Sequence, residues 1–221
     1  MEKNDKTILK ISENIKAIMP GRYMKLEGVK ELILPDNLVY IGMEAFKDCP
    51  DLERVSFGSS LREIREEAFM YCDKIMSLRF PDTLKEIGAG AFSGCYGLRR
   101  LKLGNGIELI GKGTFNYNDH IKKLIFPASL SIIGGSSFQC FTRVEKIIFK
   151  EGLEYIGESS FTNCPRITKL VLPRSLVLVK DFAFANCQAL EEVICSEKTI
   201  IESAAFLGCS KLKGVKYHET D

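Results

Sequence analysis

Residues 29–51 read VKELILPDNLVYIGMEAFKDCPD, and residues 75–97 read IMSLRFPDTLKEIGAGAFSGCYG. The two stretches carry apolar residues, glycine and cysteine at the same places, and related units of 23 residues fill most of the remaining chain. One aromatic column keeps this spacing, with a last step of 22 residues: Tyr23, Phe46, Phe69, Phe92, Phe115, Phe138, Phe161, Phe184 and Phe206. A repeat of this length predicts units that stack into a solenoid.

Each unit opens with a segment in which apolar and polar residues alternate, such as residues 75–80. Alternation with a period of two predicts a short strand with one buried face. Proline or glycine ends this strand, as Pro35 and Gly58 do. A glycine such as Gly42 follows the isoleucine column, where we expect it to supply the conformational freedom of a tight bend. The return path around each Ala-Phe pair is expected to be irregular or a short helical turn.

Stacking of the units decides the domain organisation. A unit of 23 residues cannot bury its apolar columns alone, so successive strands must lie in parallel, about 4.8 Å apart. We predict a single domain over residues 1–221, with a degenerate N-terminal coil at 1–28, eight repeats at 29–211, and a terminal strand and tail at 212–221. The apolar residues around Phe206 then lack a following coil, which offers a surface for self-association.

The charge balance and the hydropathy exclude several classes of protein. The 221 residues include 31 lysines and arginines and 29 aspartates and glutamates, so a net charge of +2 by itself indicates neither nucleic acid nor an anionic membrane as a partner. The apolar runs are far shorter than the roughly 20 residues of a membrane-spanning helix. The first six residues lack the apolar segment of an export signal. We therefore expect no membrane insertion.

The stretches 34–49 and 126–134 also carry a family resemblance. They read LPDNLVYIGMEAFKDC and FPASLSIIG, and they are similar to the BspA-like class of leucine-rich repeat, a 23-residue type found in many bacterial surface proteins. The resemblance, over residues 7–217, implies an α/β leucine-rich-repeat solenoid that is curved, with a parallel sheet on its concave face and irregular or short helical turns on its convex face. It also implies a role in adhesion or in binding host and matrix proteins, at the cell surface or after secretion.

Six cysteines occupy one column of the repeat: Cys49, Cys72, Cys95, Cys164, Cys187 and Cys209. Asn118 and Phe141 take this column in the other two units, whereas Cys140 and Cys195 stand apart. No pair has the C-x-x-C spacing typical of a metal site, so we predict no bound metal. Reduced, buried thiols at a turn are the favoured interpretation, and cross-links between neighbouring coils are the alternative.

The sequence offers little for catalysis. His120 and His218 have no serine, cysteine or carboxylate at a spacing that would place it beside them. The string Gly104-Asn105-Gly106 carries two glycines of a dinucleotide-binding motif, but its repeat column explains both of them. We therefore expect no enzymatic activity, no catalytic residue and no cofactor.

The repeat also predicts which strand residues face outward. If Leu32 and Leu34 point into the core, residues 31 and 33 and their equivalents point to the opposite side, which we take to be the concave face. Between residues 54 and 171, these two rows hold seven basic residues and no acid: Arg54, Arg79, Arg100, Lys102, Lys123, Lys146 and Lys169. A site for an acidic partner is one interpretation, and a solvated basic face that balances acids elsewhere is the other.

Four neighbouring positions of the second row are apolar: Ile125, Ile148, Val171 and Ile194. Four such residues on adjacent strands form one patch beside a basic rim, an arrangement typical of a protein-binding surface. Alternatively, these β-branched residues stand there because they suit strands, or a neighbouring domain covers them. The rows contain no aromatic residue for base stacking, which places nucleic acid and other polyanions second.

These features together predict a non-enzymatic module that binds an acidic protein ligand through the concave face, in adhesion according to the resemblance. The predicted binding residues are the four apolar ones together with Arg79, Arg100, Lys102, Lys123, Lys146 and Lys169. The alternative is a structural or scaffolding segment of a longer protein, whose apolar patch docks an adjacent domain.

Overall fold

The computed structural model describes residues 7–218, in which the chain forms nineteen short strands and no helix. Two strands recur in each coil, so that two rows of strands run along the solenoid. The first row consists of β1 Ile8–Lys10, β3 Glu31–Ile33, β5 Arg54–Ser56, β7 Ser77–Arg79, β9 Arg100–Lys102, β11 Lys123–Ile125, β13 Lys146–Ile148, β15 Lys169–Val171, β17 Glu192–Cys195 and β19 Val215–Tyr217. The second row consists of β2 Ala17–Ile18, β4 Tyr40–Ile41, β6 Glu63–Ile64, β8 Glu86–Ile87, β10 Leu109–Ile110, β12 Ile132–Ile133, β14 Tyr155–Ile156, β16 Leu178–Val179 and β18 Ile200–Ile201.

Strands of neighbouring coils pair in parallel and in the register that the repeat predicts. Leu32 lies opposite Val55, and Ile41 lies opposite Ile64. The second row forms one nine-stranded sheet, hereafter the continuous sheet. The first row forms four separate blocks, β1–β3–β5, β7–β9, β11–β13 and β15–β17–β19, hereafter the split sheet. The parallel solenoid is thus confirmed, whereas the curvature that would make the split sheet concave stays a prediction.

The remaining side of each coil consists of irregular turns and contains no helical turn in the described residues. The amides of Glu44 and Asp48 donate to the carbonyls of Glu66 and Met70 in the next coil. Glu44 and Asp48 also have positive φ angles of 54° and 55°, which an α-helix does not allow. Of the two predicted alternatives, the irregular turns are therefore confirmed, whereas the short helical turns, and with them the α part of the fold class, are wrong. The reason is that alternate amides bond between coils instead of within one coil.

Aromatic side chains form the centre of the core. The rings of the aromatic column stack face to face from Tyr23 to Phe206, with neighbouring centroids 5.0 to 5.6 Å apart. Phenylalanines of a second column pack at an angle against this stack, and Phe126 meets Phe138 edge-on at 5.2 Å. Most rings of the stack are fully buried, so the stack excludes water along the solenoid.

Glycine in the column of Gly42 meets a packing requirement rather than a conformational one. The φ angle of Gly42 is not positive, but a Cβ atom there would lie 2.7 Å from the carbonyl oxygen of Ile18 in the preceding coil. A Cβ atom on Gly88 would lie 2.6 Å from the amide nitrogen of Glu66. Arg65 occupies the same column in the coil between them. The backbone of the preceding coil therefore approaches this column so closely only in the coils that carry glycine. The expectation of a bend that needs the φ range of glycine is wrong at this column.

The cysteine column supplies hydrogen-bond donors to the core. The Sγ atom of Cys72 lies 3.1 Å from the carbonyl oxygen of Phe46 in the preceding coil. Asn118, which replaces cysteine in its own coil, donates from Nδ2 to the carbonyl of Phe92 over 3.0 Å. Either side chain thus satisfies a buried carbonyl, which explains why thiol and amide exchange at this column. All eight cysteines are free, and burial raises the pKa of Cys95 to about 12.

The two ends of the chain complete the description. At the C-terminal end, β19 pairs with β17, and Phe206 is half-buried against Phe184. The most exposed apolar residues of this coil are Ile200 and Leu207, and self-association there stays a prediction. Residues 1–6, where the sequence predicts no export segment, and residues 219–221 lie outside the described part. Within the described part, no helix has the length and hydropathy needed to cross a membrane.

Candidate binding surface on the split sheet

Side chains on the split sheet face outward where the repeat predicts. Alternation buries Leu124 and Leu170 and leaves their neighbours on the outer side. Six basic residues of the predicted site are exposed: Arg79, Arg100, Lys102, Lys123, Lys146 and Lys169. Of the four apolar residues, Ile125 and Val171 are 47% and 46% exposed, while Ile148 and Ile194 are half-buried. The split sheet therefore presents charged and apolar side chains on one face.

Ion pairs divide the basic residues into two groups. At the flanks of the row, Arg54 contacts Glu31 at 3.0 Å and Lys169 contacts Glu192 at 2.7 Å. Hydrogen bonds from Lys169 and Lys216 lower the pKa of Glu192 to about 2. In the described chain, the other five have no acidic group within 4.0 Å: Arg79, Arg100, Lys102, Lys123 and Lys146. The unpaired positive charge thus lies in the middle of the sheet.

An apolar groove of about 570 Å³ lies at the interruption between β13 and β15. It divides the apolar patch, which consists of Ile125, Ile148, Val171 and Ile194. Ile148 and Val171 line the groove from its two sides, and the partially buried ring of Phe149 lines it as well. Glu145, Lys146 and Lys169 add charges of both signs. The patch is therefore a pair of apolar ridges with a groove between them, rather than a flat surface.

A second opening, the basic cleft, lies between β9 and β11, where strand pairing is interrupted as well. Six nitrogen-bearing side chains line its wider part of about 510 Å³: Arg99, Arg100, His120, Lys122, Lys123 and Arg143. Its narrower part, of about 230 Å³, adds Lys102 and Lys150 beside Ile125. No acidic residue of the described chain lines either part.

Sequence reasoning identified only part of this cleft. The strand positions Arg100, Lys102 and Lys123 follow from alternation, but five further residues lie in the segments before and after the strands: Arg99, His120, Lys122, Arg143 and Lys150. Alternation says nothing about the direction of side chains in such segments. One signal in the sequence could have found part of the cleft, namely the residue directly before each strand. It is basic before β9 and β11, where Arg99 and Lys122 stand, but it is Met76 before β7 and Glu145 before β13.

The prediction that no carboxylate lies beside either histidine is wrong for His120, because its sequence neighbour Asp119 turns towards the ring. His120 Nε2 lies 3.6 Å from Asp119 Oδ1, and His218 Nε2 lies 2.8 Å from the carbonyl oxygen of Leu172. Among residues 7–218, no group of three or more histidine, cysteine, aspartate or glutamate side chains is arranged to hold a metal ion.

Comparisons with known proteins agree with this architecture. A family model described as BspA type leucine rich repeat region matches residues 3–122 and 108–220, in six copies. A leucine-rich repeat protein from Bacteroides ovatus is 23% identical, with a TM-score of 0.70 over 98% of this chain and 65% of that one. A leucine-rich repeat protein from T. pallidum is 23% identical, with a TM-score of 0.68 over 73% of this chain and 78% of that one. No curated protein matches the chain. The two structures show the leucine-rich-repeat fold, and the chain spans less than two thirds of the Bacteroides ovatus protein.

Proposed function

Because the chain belongs to the BspA-type leucine-rich repeat family, we propose that it is a non-enzymatic module that binds another protein through the split sheet. The family and the fold are typically without catalytic activity. The apolar patch with its groove is the single observation that carries the proposal. Contiguous apolar side chains exposed beside a charged rim are typical of protein-binding surfaces.

The chemistry of the surface indicates how a partner binds. Burying Ile125 and Val171 removes exposed apolar area from water, and the groove between Ile148 and Val171 accepts a side chain of the partner. The unpaired cations around Arg100 and Lys123 attract an acidic protein and raise its association rate. The apolar contacts then set the dissociation rate of the complex, whereas the charges set its association rate.

We place this activity at the cell surface or outside the cell, in adhesion to host or matrix proteins. The support is the family, since the BspA-type repeat is typical of bacterial surface proteins.

The test is binding to purified matrix proteins, measured by surface plasmon resonance with the chain immobilised. The double variant Ile148→Asp and Val171→Asp places two charges beside the groove and should weaken binding by about 2 kcal/mol or more, which is roughly thirtyfold. The matched control is Ile132→Asp with Ile200→Asp, which changes two exposed isoleucines of the continuous sheet. Equal binding by both double variants, or no binding by the parent, contradicts the proposal.

A structural or scaffolding segment of a longer protein is the second candidate function. The observation that favours it is that the chain spans 65% of the Bacteroides ovatus protein. In this case the apolar patch docks an adjacent domain of the same polypeptide. Binding to such a domain, and to none of the matrix proteins, would favour this candidate.

A further inference from the structure

The basic cleft between β9 and β11 combines interrupted strand pairing with a purely positive charge, and the apolar groove lacks this charge. We propose that this cleft binds an acidic peptide segment of the protein partner, held in an extended conformation between the two strands. The inference rests on the proposed function and names the chemistry of the partner that the split sheet recognises.

The charge of the cleft supports an anionic occupant. Arg100 and Lys123 hold equivalent positions on its two walls, and neither has an acidic group within 4.0 Å in the described chain. Arg99, Lys122 and Arg143 add three more cations to the same opening. Like charges gathered in this way repel one another, and carboxylates placed among them relieve the repulsion. The apolar groove between β13 and β15 differs, because Glu145 lies among its lysines.

The backbone around the cleft supports a peptide rather than another polyanion. One coil later, the amide of Glu145 donates to the carbonyl of Lys122 over 2.9 Å. The equivalent bond from Lys122 to Arg99 does not form in the described structure, nor does the one from Leu103 to Ile125. Two facing strands therefore present unpaired donors and acceptors, which a peptide backbone complements by pairing as a strand. A sulfated polysaccharide has no such backbone.

The shape of the cleft sets the length and composition of the segment. Its lining runs from Arg99 to Asn105 along β9, a stretch that about seven extended residues match at roughly 3.3 Å each. Four of the eight residues that line the narrower part are apolar, namely Leu101, Leu103, Ile125 and Pro127. A segment that fits therefore carries an apolar residue among its carboxylates. The lining of the described cleft holds no phenylalanine, tyrosine or tryptophan ring, and His120 is its only aromatic side chain, so it offers few stacking partners to nucleic acid bases.

The experiment is a selection of random twelve-residue peptides displayed on phage against the full chain, followed by fluorescence anisotropy with a selected peptide. The enriched peptides should be rich in aspartate and glutamate. Their Kd should rise about tenfold or more in the variant Arg100→Ser with Lys123→Ser, which removes one cation from each wall. Raising the salt concentration should weaken the same complex, because the charges are exposed.

The matched control is Arg54→Ser with Lys216→Ser. It removes the same two residue types from β5 and β19 of the split sheet, outside both openings and where an ion pair already exists, so the Kd should change by less than about threefold. Enriched peptides without acidic residues, or an equal loss in both double variants, would overturn the proposal. Heparin that binds the cleft while no acidic peptide is enriched would overturn it as well. The selected peptides should bind the double variant Ile148→Asp with Val171→Asp as tightly as they bind the parent. That result supports peptide binding in the cleft, even if matrix proteins do not bind the apolar patch.

Discussion

Phe92 shows what a single residue of the repeat contributes. Its buried ring stacks at 5.1 Å on Phe69 and at 5.6 Å on Phe115, and Phe80 packs against it at 5.4 Å. Because each ring separates two others, the loss of one leaves a cavity that the flanking coils cannot close, since their strands hold them in register.

Replacing Phe92 by alanine should therefore lower the free energy of unfolding by roughly 3 to 5 kcal/mol, measured by denaturant or thermal melts. The matched control is Phe182→Ala, the same substitution at a ring that is 37% exposed, where the loss should be about 1 kcal/mol because this ring buries less apolar area and separates no stacked rings of the described chain. A loss below about 1 kcal/mol at Phe92 would contradict the stacked core.

The thiols allow a second prediction for single residues. Burial raises the pKa of Cys95 to about 12, so almost no reactive thiolate exists there at pH 8, whereas Cys140 is half-exposed. Iodoacetamide should label Cys140 first in the native protein and all eight cysteines after denaturation, as mass spectrometry would show. In the variant Cys140→Ser, rapid labelling should disappear. Disulfide-linked pairs, or labelling of Cys95 at the rate of Cys140, would contradict the interpretation as buried, reduced thiols.

Among the strands, the repeat predicts pairing partners well and interruptions poorly. The register of Leu32 with Val55 follows from a period that is read directly along the chain. The interruption between β9 and β11 does not follow, because Arg100, Lys123 and Lys146 occupy equivalent positions and yet only β11 and β13 pair. Separation of two coils depends on their relative tilt, which arises from packing along the whole solenoid. The conformation of the return turns could not be predicted for a related reason. Alternate amides of these turns donate to the next coil, and a pattern within one unit does not show such bonds.

Hydrogen exchange tests these interruptions. The amides of Lys122 and Lys123 should exchange at least about tenfold faster than those of Glu145 and Lys146, which donate to Lys122 in the next pair of strands. The four residues hold equivalent positions in two adjacent coils, so each pair serves as the control of the other. Equal protection would show that the sheet continues across the cleft.

For the whole molecule, a net charge of +2 conceals a local excess of positive charge on the split sheet. The continuous sheet carries Glu63 beside Glu86, both paired with Arg65, whereas the middle of the split sheet carries cations without partners. The strand cations of the site could be predicted, because alternation fixes their direction. The cations of the segments between strands, such as Arg143, could not, because their direction depends on how each turn is packed.

The central claim is that a protein partner binds the split sheet, and the hydrogen-exchange footprint of a bound partner tests it most directly. Amides of residues 99–105, 122–126 and 145–150 should exchange more slowly in the complex than in the free chain, because the partner covers both openings of the sheet. Amides of the continuous sheet, such as those of β8 and β10, should keep their rates and serve as the internal control. Protection confined to the continuous sheet or to the turns around Phe92 and Phe115 would contradict the claim.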